Sequence, residues 1–293
     1  MSADRSKNID PVTGVATTGH EWDGVRELNM PLPRWWLWLF YITIVWSIGY
    51  WIVYPAWPLV TTYTNGIFNW NSRQAIIEDM AALKGQRATM VDRIAAASLD
   101  DILADQQLLG FARAQGRAAF ADNCAPCHGA GGGGAKGYPN LVDDDWLWGG
   151  KIEDIAFTIR HGVRSTDDKT RAGNMPAFGR DKILERPDIV AAADYVRSLS
   201  NLSVARNADL ARGKKVFADN CSACHGENGK GNKEIGAPDL TDPIWLFGAD
   251  RDTIVEGIAN GRGSVMPTWG TRLDDTTIKS LAVYVHTLGG GQR

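Results

Sequence analysis

The chain has 293 residues, with 31 basic side chains against 34 acidic ones, four cysteines and five histidines. That length leaves room for two compact domains and something extra. The near balance of charge, with neither half strongly biased, offers no basic excess for nucleic acid. All four cysteines fall in two short motifs, so no disulfide framework is available.

Residues 1–34 are polar, rich in turn formers and without sustained apolar periodicity, and are expected to be a short, mostly disordered tail. From Trp35 to Tyr54 there is no charge, and none returns until Arg73. At ~1.5 Å per residue the uncharged run is about 30 Å long, enough to cross a bilayer once. Trp35, Trp36 and Trp38 crowd one end and Trp51, Tyr54 and Trp57 the other, as side chains do at two membrane–water boundaries. Pro55 and Pro58 end the helix, which predicts a single span over 35–57. The length and the belts argue against a buried core helix. The long preceding tail and the poor cleavage site at Pro55-Ala56-Trp57 argue against a signal peptide. Arg26 and Arg34 precede the span closely while the next cation is Arg73, so the N-terminus is expected in the cytoplasm.

Residues 58–109 read as a helical linker. Ala75, Ile76, Ile77, Met80 and Leu83, then Met90, Val91 and Ile94, recur at helical spacing, with Gly85 weakening the middle. Ser98 and Asp101 form a capping-box pattern opening a second helix through Leu109. A spacer is the simpler reading; its apolar face resting on a partner is the other.

The rest repeats itself at a period of 97 residues, from Cys124 to Cys221. Cys124-Ala125-Pro126-Cys127-His128 returns as Cys221-Ser222-Ala223-Cys224-His225. Two thiols three positions apart reach the two vinyl groups of one porphyrin edge, and the adjacent imidazole lies under the iron, so two covalently bound haems c are expected. A redox dithiol or half a zinc site would explain a lone C-x-x-C, but both pentads carry the His and no further cysteine completes a tetrahedral set. Before each pentad, Gly116, Phe120 and Cys124, and again Gly213, Phe217 and Cys221, share one helical face. The missing side chain at the glycine would admit a second helix, visible near each copy's end at Tyr195-Val196 and Tyr284-Val285. Pro139, Leu141 and Trp146 match Pro238, Leu240 and Trp245, and Ile155, Ile159 and Gly162 match Ile254, Ile258 and Gly261.

Each copy contains one Met-Pro pair in a glycine-bearing loop, Met175-Pro176 and Met266-Pro267. A thioether is a soft, neutral ligand that favours ferrous iron and raises the potential. Core packing is the ordinary role of methionine, but the matching positions point to ligation, by either the same or the neighbouring copy's iron. His161 aligns with Asn260, His286 with Arg197, and His20 lies in the tail, so none of these histidines recurs as a ligand should. Gly129 to Gly134 reads as a flexible loop. Asp143, Asp144 and Asp145 read as a solvated acidic loop, with docking of a lysine-rich donor as the alternative. Trp146 and Trp245 either donate to a haem propionate or fill the core.

The repeats resemble class I cytochromes c, and the whole chain is similar to the dihaem subunit III, CcoP or FixP, of cbb3-type cytochrome c oxidases. The most specific resemblance lies outside the repeats: His20-Glu-Trp-Asp-Gly24, Glu27-Leu-Asn and Pro31-Leu-Pro-Arg-Trp-Trp36 before the span, and Tyr54-Pro-Ala-Trp-Pro58 after it. It implies an all-α chain: a cytoplasmic tail over 1–34, the span, a periplasmic linker over 58–109, and two tandem class I cytochrome c domains over 110–200 and 201–293. It also implies Cys124, Cys127, Cys221 and Cys224 as attachment sites, His128 and His225 as proximal ligands, Met175 and Met266 as distal ones, and Pro139 and Pro238 as the residues whose carbonyls accept the proximal imidazole N–H. Some family members have two spans; this chain shows one.

The resemblance further implies a single-pass protein of the bacterial inner membrane with its haem domains in the periplasm. Such a subunit takes electrons from a donor cytochrome c and passes them to a monohaem cytochrome c subunit. Beyond that lies the catalytic haem–copper subunit, which reduces oxygen in a proton-pumping complex. This chain is expected to conduct and not to catalyse. A dihaem peroxidase would need one iron without a sixth ligand, and a free-standing anchored shuttle would have no use for the 20–36 segment.

Overall fold

The computed structural model describes residues 9–292, so the first eight residues of the expected tail lie outside the described residues. The chain divides into two compact units, Met1–Gln86 and Arg87–Arg293.

In the first unit the expectation of a mostly disordered tail is corrected. Strands β1 (Thr17–Trp22) and β2 (Val25–Leu28) pair antiparallel. Asp23 and Gly24 at the turn both have positive φ, 49° and 86°, the conformation of a two-residue turn whose twist matches its strands. Arg26 and Glu21, paired across the strands, form an ion pair at 2.7 Å. Helix α1 (Arg34–Val53) has 20 residues and no buried one; it is apolar on every side and long enough to cross a membrane. It stops where Tyr54, held extended before Pro55, leaves helical geometry.

Helix α2 (Ser72–Ala96) runs unbroken through Gly85, whose cost of about 1 kcal/mol the surrounding helix formers absorb. Ser98 and Asp101 do make the capping box of α3 (Leu99–Ala104). That helix ends five residues earlier than the spacing predicts, because Asp105 caps a new helix, α4 (Gln106–Asn123), accepting from Gln107 and Leu108 N–H. The spacer reading is corrected only toward its end: Ile76, Ile77, Met80 and Leu83 are exposed, whereas Ile94 and Ile102 are fully buried and Lys279 donates to the carbonyls of Ile94, Ala95 and Ala97.

The remaining helices are α5 (Ala125–His128), α6 (Ile152–His161), α7 (Arg186–Leu199), α8 (Leu210–Asn220), α9 (Ser222–His225), α10 (Arg251–Asn260) and α11 (Asp275–His286). They build two cores, and neither belongs to one sequence copy. The first core joins α3, α4 and α6 to α11, with Phe120, Ile155, Ile159, Leu281 and Val283 buried together. The second joins α8 and α10 to α7, with Phe217, Ile254, Ile258, Ile189 and Val196. Gly116 lies under Ser280 and Tyr284, and Gly213 under Ala191 and Tyr195, where in each case a Cβ would overlap a backbone carbonyl of the facing helix. Phe120 packs on Tyr284 at 5.3 Å, and Phe217 on Tyr195 at 5.5 Å.

The expected close approach of two helices is therefore present, but each copy's closing helix serves the other copy. The boundary near residue 200 separates repeats in sequence and not the packed bodies. The second body is contained between Met175 and Arg262 and is inserted into the first. The two exchanging segments touch side by side: Val163 pairs antiparallel with Met266, and Met175 with Arg262.

Candidate haem-binding sites

Each pentad is a helix end. Cys124 closes α4, and one further turn, with Cys127 and His128 N–H both donating to the Cys124 carbonyl at 3.1 and 2.9 Å, brings both thiols and the imidazole into one local feature. Cys221, Cys224 and His225 repeat this at 3.2 and 3.0 Å. Gly129 and Gly226, at φ 79° and 76°, end the turn.

The imidazoles are already oriented. His128 Nδ1 lies 2.9 Å from the Pro139 carbonyl and His225 Nδ1 3.1 Å from that of Pro238. A carbonyl only accepts, so Nδ1 carries the proton and Nε2 keeps the lone pair a metal needs. Burial pushes both imidazoles below the usual histidine range, outweighing the hydrogen bond to the proline carbonyl, which favours the neutral ligand form. Burial, with a smaller contribution from the second cysteine, pushes the Cys124 and Cys221 thiols up to about 11.

Met266 packs against the first core, which also holds Phe120 and Cys124. Met175 packs against the second, with Phe217 and Cys221. Each methionine thus packs against the core that the other copy's pentad flanks. Backbone pairing holds both loops: Val163 and Met266 exchange hydrogen bonds at 3.0 and 2.9 Å, and Met175 and Arg262 at 3.1 and 3.3 Å. The other histidines have different engagements. His161 Nδ1 meets Asp167 at 3.0 Å, His286 Nε2 meets the Gln292 carbonyl at 2.9 Å, and His20 lies on β1.

The residues present fit a haem in each body. In each, an imidazole oriented through Nδ1 follows a cysteine that packs against the same core as a thioether. In the second body the indole N–H of Trp245 is buried without a partner, a donor suited to a propionate. Trp146, at the matching position, donates instead to the Gly290 carbonyl. A groove of about 560 Å³ opens beside Cys224, between Ala223, Gly226 and Gly231–Glu234.

Sequence reasoning missed the residues where the bodies meet. Trp148 lies against Gly236 and Phe247 against Gly137, whose N–H donates to the Leu246 carbonyl at 2.8 Å. Arg171 stands over Trp148 at 5.6 Å, and Arg262 over Phe247 at 4.3 Å. The signal was present, since Trp148 and Phe247 follow the matched tryptophans by two residues. The acidic loop also differs from expectation at one residue. Asp145 is half-buried near Asp242, Asp143 and Asp239, and burial first, then those charges, push its carboxyl up to about 6.

Comparison with known proteins agrees over nearly the whole chain. Residues 14–61 match the N-terminal domain of cytochrome oxidase-cbb3, FixP; residues 113–200 match cytochrome c; and residues 208–285 match cytochrome c oxidase, cbb3-type, subunit III. The cbb3-type cytochrome c oxidase subunit FixP of Azorhizobium caulinodans is 60% identical over 97% of this chain and 96% of its own length. FixP of Bradyrhizobium sp. is 58% identical over 99% and 100%, and the subunit CcoP of Azospirillum brasilense is 52% identical over 98% and 99%. With haem-ready pentads on cytochrome c bodies behind one membrane-length helix, the chain belongs to the FixP/CcoP family of cbb3-type cytochrome c oxidase subunits.

Proposed function

We propose that this subunit binds two haems c and relays electrons within its oxidase, from a donor cytochrome c toward a monohaem cytochrome c subunit and the haem–copper subunit that reduces oxygen in a proton-pumping complex. Cys124 and Cys127 attach one haem and Cys221 and Cys224 the other. Bound haem supplies reversible one-electron exchange between ferrous and ferric iron.

His128 and Met266 would hold the iron of a haem in the first body, and His225 and Met175 that of a haem in the second. The observation that carries this assignment is the crossed packing of the methionines, each in the core that holds the other copy's first cysteine. The proline carbonyls hold the imidazoles in one orientation, so these ligands would need little rearrangement when the charge of a bound haem changes. The two thioethers favour the reduced state and keep the potentials high. Neither body is assigned an open axial position, so the chain conducts and the chemistry of oxygen lies in a partner. Arg26 and Arg34 hold the N-terminus in the cytoplasm, which leaves the haem bodies in the periplasm.

A single-haem background tests the assignment. In a full-length Cys221→Ala/Cys224→Ala variant, Met266→Ala should abolish the methionine–iron charge-transfer absorbance. It should also lower the potential on the order of 0.1 V, a fraction of the ~0.8 V that axial ligands span. Met175→Ala should leave both unchanged. If neither substitution acts, methionine ligation is wrong; if Met175→Ala acts and Met266→Ala does not, the crossed pairing is wrong. A parallel experiment keeps all four cysteines: Met175→Ala/His225→Ala should alter one low-spin electron paramagnetic resonance signal, and the mixed pair Met266→Ala/His225→Ala both. Purification in mild detergent with haem b and copper retained tests the partners.

A further inference from the structure

The uncharged stretch continues past the span. Arg34 is the last ionised side chain before it and Arg73 the first after it. Residues 55–71 fold back onto the last turn of α1, where Ile67 N–H donates to the Ile52 carbonyl at 3.0 Å and Phe68 N–H to the Val53 carbonyl at 3.1 Å. The last carbonyls of a helix have no partner within it, and hydrocarbon offers none. This segment therefore supplies partners to two of the last carbonyls of α1, those of Ile52 and Val53, at the depth where the helix leaves the bilayer.

Ring contacts fix the same placement. Tyr54 meets Phe68 edge-on at 5.5 Å and Trp70 at 6.2 Å, and Trp51 meets Trp57 at 4.8 Å. Residues 57–64 form a small hairpin closed by Thr64 N–H on the Trp57 carbonyl at 2.9 Å and by Leu59 N–H on the Thr62 carbonyl at 2.7 Å. Its tip, Val60, is fully exposed, and Ile67 is 72% exposed; Leu59 and Phe68 also face outward. Large apolar side chains exposed this fully in one short segment need cover.

We infer that residues 55–71 are an interfacial membrane anchor, lying in the headgroup–acyl boundary around the end of α1 with Leu59, Val60, Ile67 and Phe68 turned into lipid. The inference rests on α1 crossing the bilayer. Lipid is the occupant because the segment continues, through backbone hydrogen bonds, a helix whose own sides are apolar all round. Its tryptophans suit that boundary, where one edge of the ring is wet and the other dry. With no Lys or Arg in the segment, the anchor gains nothing from anionic headgroups and should ignore lipid charge.

Site-directed spin labelling of the assembled oxidase in phosphatidylcholine bilayers tests this. Nitroxides are attached through Val60→Cys and, separately, Ile67→Cys, with Ile44→Cys in α1 as the membrane reference and Lys84→Cys in α2 as the water reference. Oxygen should relax both anchor labels several-fold more than a water-soluble nickel chelate does, and adding phosphatidylglycerol should not change the ratio. Nickel dominating at both positions would overturn the inference. Protection from both reagents would also overturn it, by showing a protein cover, either a partner subunit or a second copy. Nickel access at Ile44 would instead show that the span itself is wrong. The haem absorbance of each variant reports folding, so either label alone decides if the other variant fails to assemble.

Discussion

In the first body, Ile152 of α6 and Val283 of α11 lie in one apolar core, 4% and 0% exposed. At the positions the repeat pairs with them, the second body has Arg251 and Asp194, joined by two hydrogen bonds of 2.7 Å each, with Asp194 1% exposed. The same exchange recurs beside the helix crossing. Gln115 donates to Thr277 at 3.3 Å in the first body, where Arg212 and Asp188 form an ion pair at 2.6 Å in the second. At these two matched positions the same helix arrangement is held by neutral contacts in one body and by charge in the other. Cross-helix shape, supplied by Gly116 and Gly213 with Tyr284 and Tyr195, determines the arrangement, and the chemistry of the flanking pairs is adjustable.

The difference can be broken from either side. Arg251→Ile alone leaves the buried Asp194 carboxylate without its partner and should cost about 4 kcal/mol of stability in denaturant unfolding. Arg251→Ile with Asp194→Val copies the first body and should restore stability to within about 1 kcal/mol of the parent. Parity of the single and double variants would show that the two sites are not equivalent.

Gly116→Val and Gly213→Val should each cost about 3 kcal/mol, since the new side chain meets a backbone carbonyl that moves only with its helix. Hydrogen exchange should then rise in α11 for the first variant and in α7 for the second. Exchange rising within the same sequence copy would contradict the interleaved packing.

Asp145 reverses the trend, because the second body has Ile244 at its position. Its carboxyl, held up at about 6 in the folded chain, binds a proton more tightly there than when unfolded. Stability is therefore full below the usual carboxylate range and falls as pH rises through about 6. Asp145→Asn should remove that fall and raise stability at pH 7 by ~1 kcal/mol, after allowing for screening of a half-exposed group. Thermal unfolding between pH 4 and pH 7 measures it.

The smallest effect is expected at Ser280, whose buried hydroxyl has no partner and whose counterpart is Ala191. Ser280→Ala should be neutral or stabilising by up to ~1 kcal/mol.

The pentads and the Ser98–Asp101 capping box were readable because each is local, with spacing alone placing the groups; the prolines behind the imidazoles came from the family resemblance. The crossed packing was not readable, for a physical reason. Gly116 and Gly213, Phe120 and Phe217, and Tyr195 and Tyr284 are interchangeable at the contact, so either pairing satisfies the same pattern of close approach and ring packing. The paths of residues 162–174 and 261–265 decide between them, and those segments carry no periodicity. The hairpin before the span was missed although Asp23-Gly24 is a strong two-residue turn signal. Asp105 as a helix start was hidden because the apolar spacing continues through it. Ile94 and Ile102 look like an exposed stripe until α11, some 180 residues later in the chain, covers them.

Interleaving reverses the order in which the chain completes its two bodies. The second body needs nothing beyond Arg262, which pairs with Met175 and stacks on Phe247. The first pentad emerges earlier, yet α4 must wait for α11, Asp275–His286, before its glycine face is covered. A chain ending before Asp275 would therefore contain every core residue of the downstream cytochrome and lack the helix that covers the upstream one.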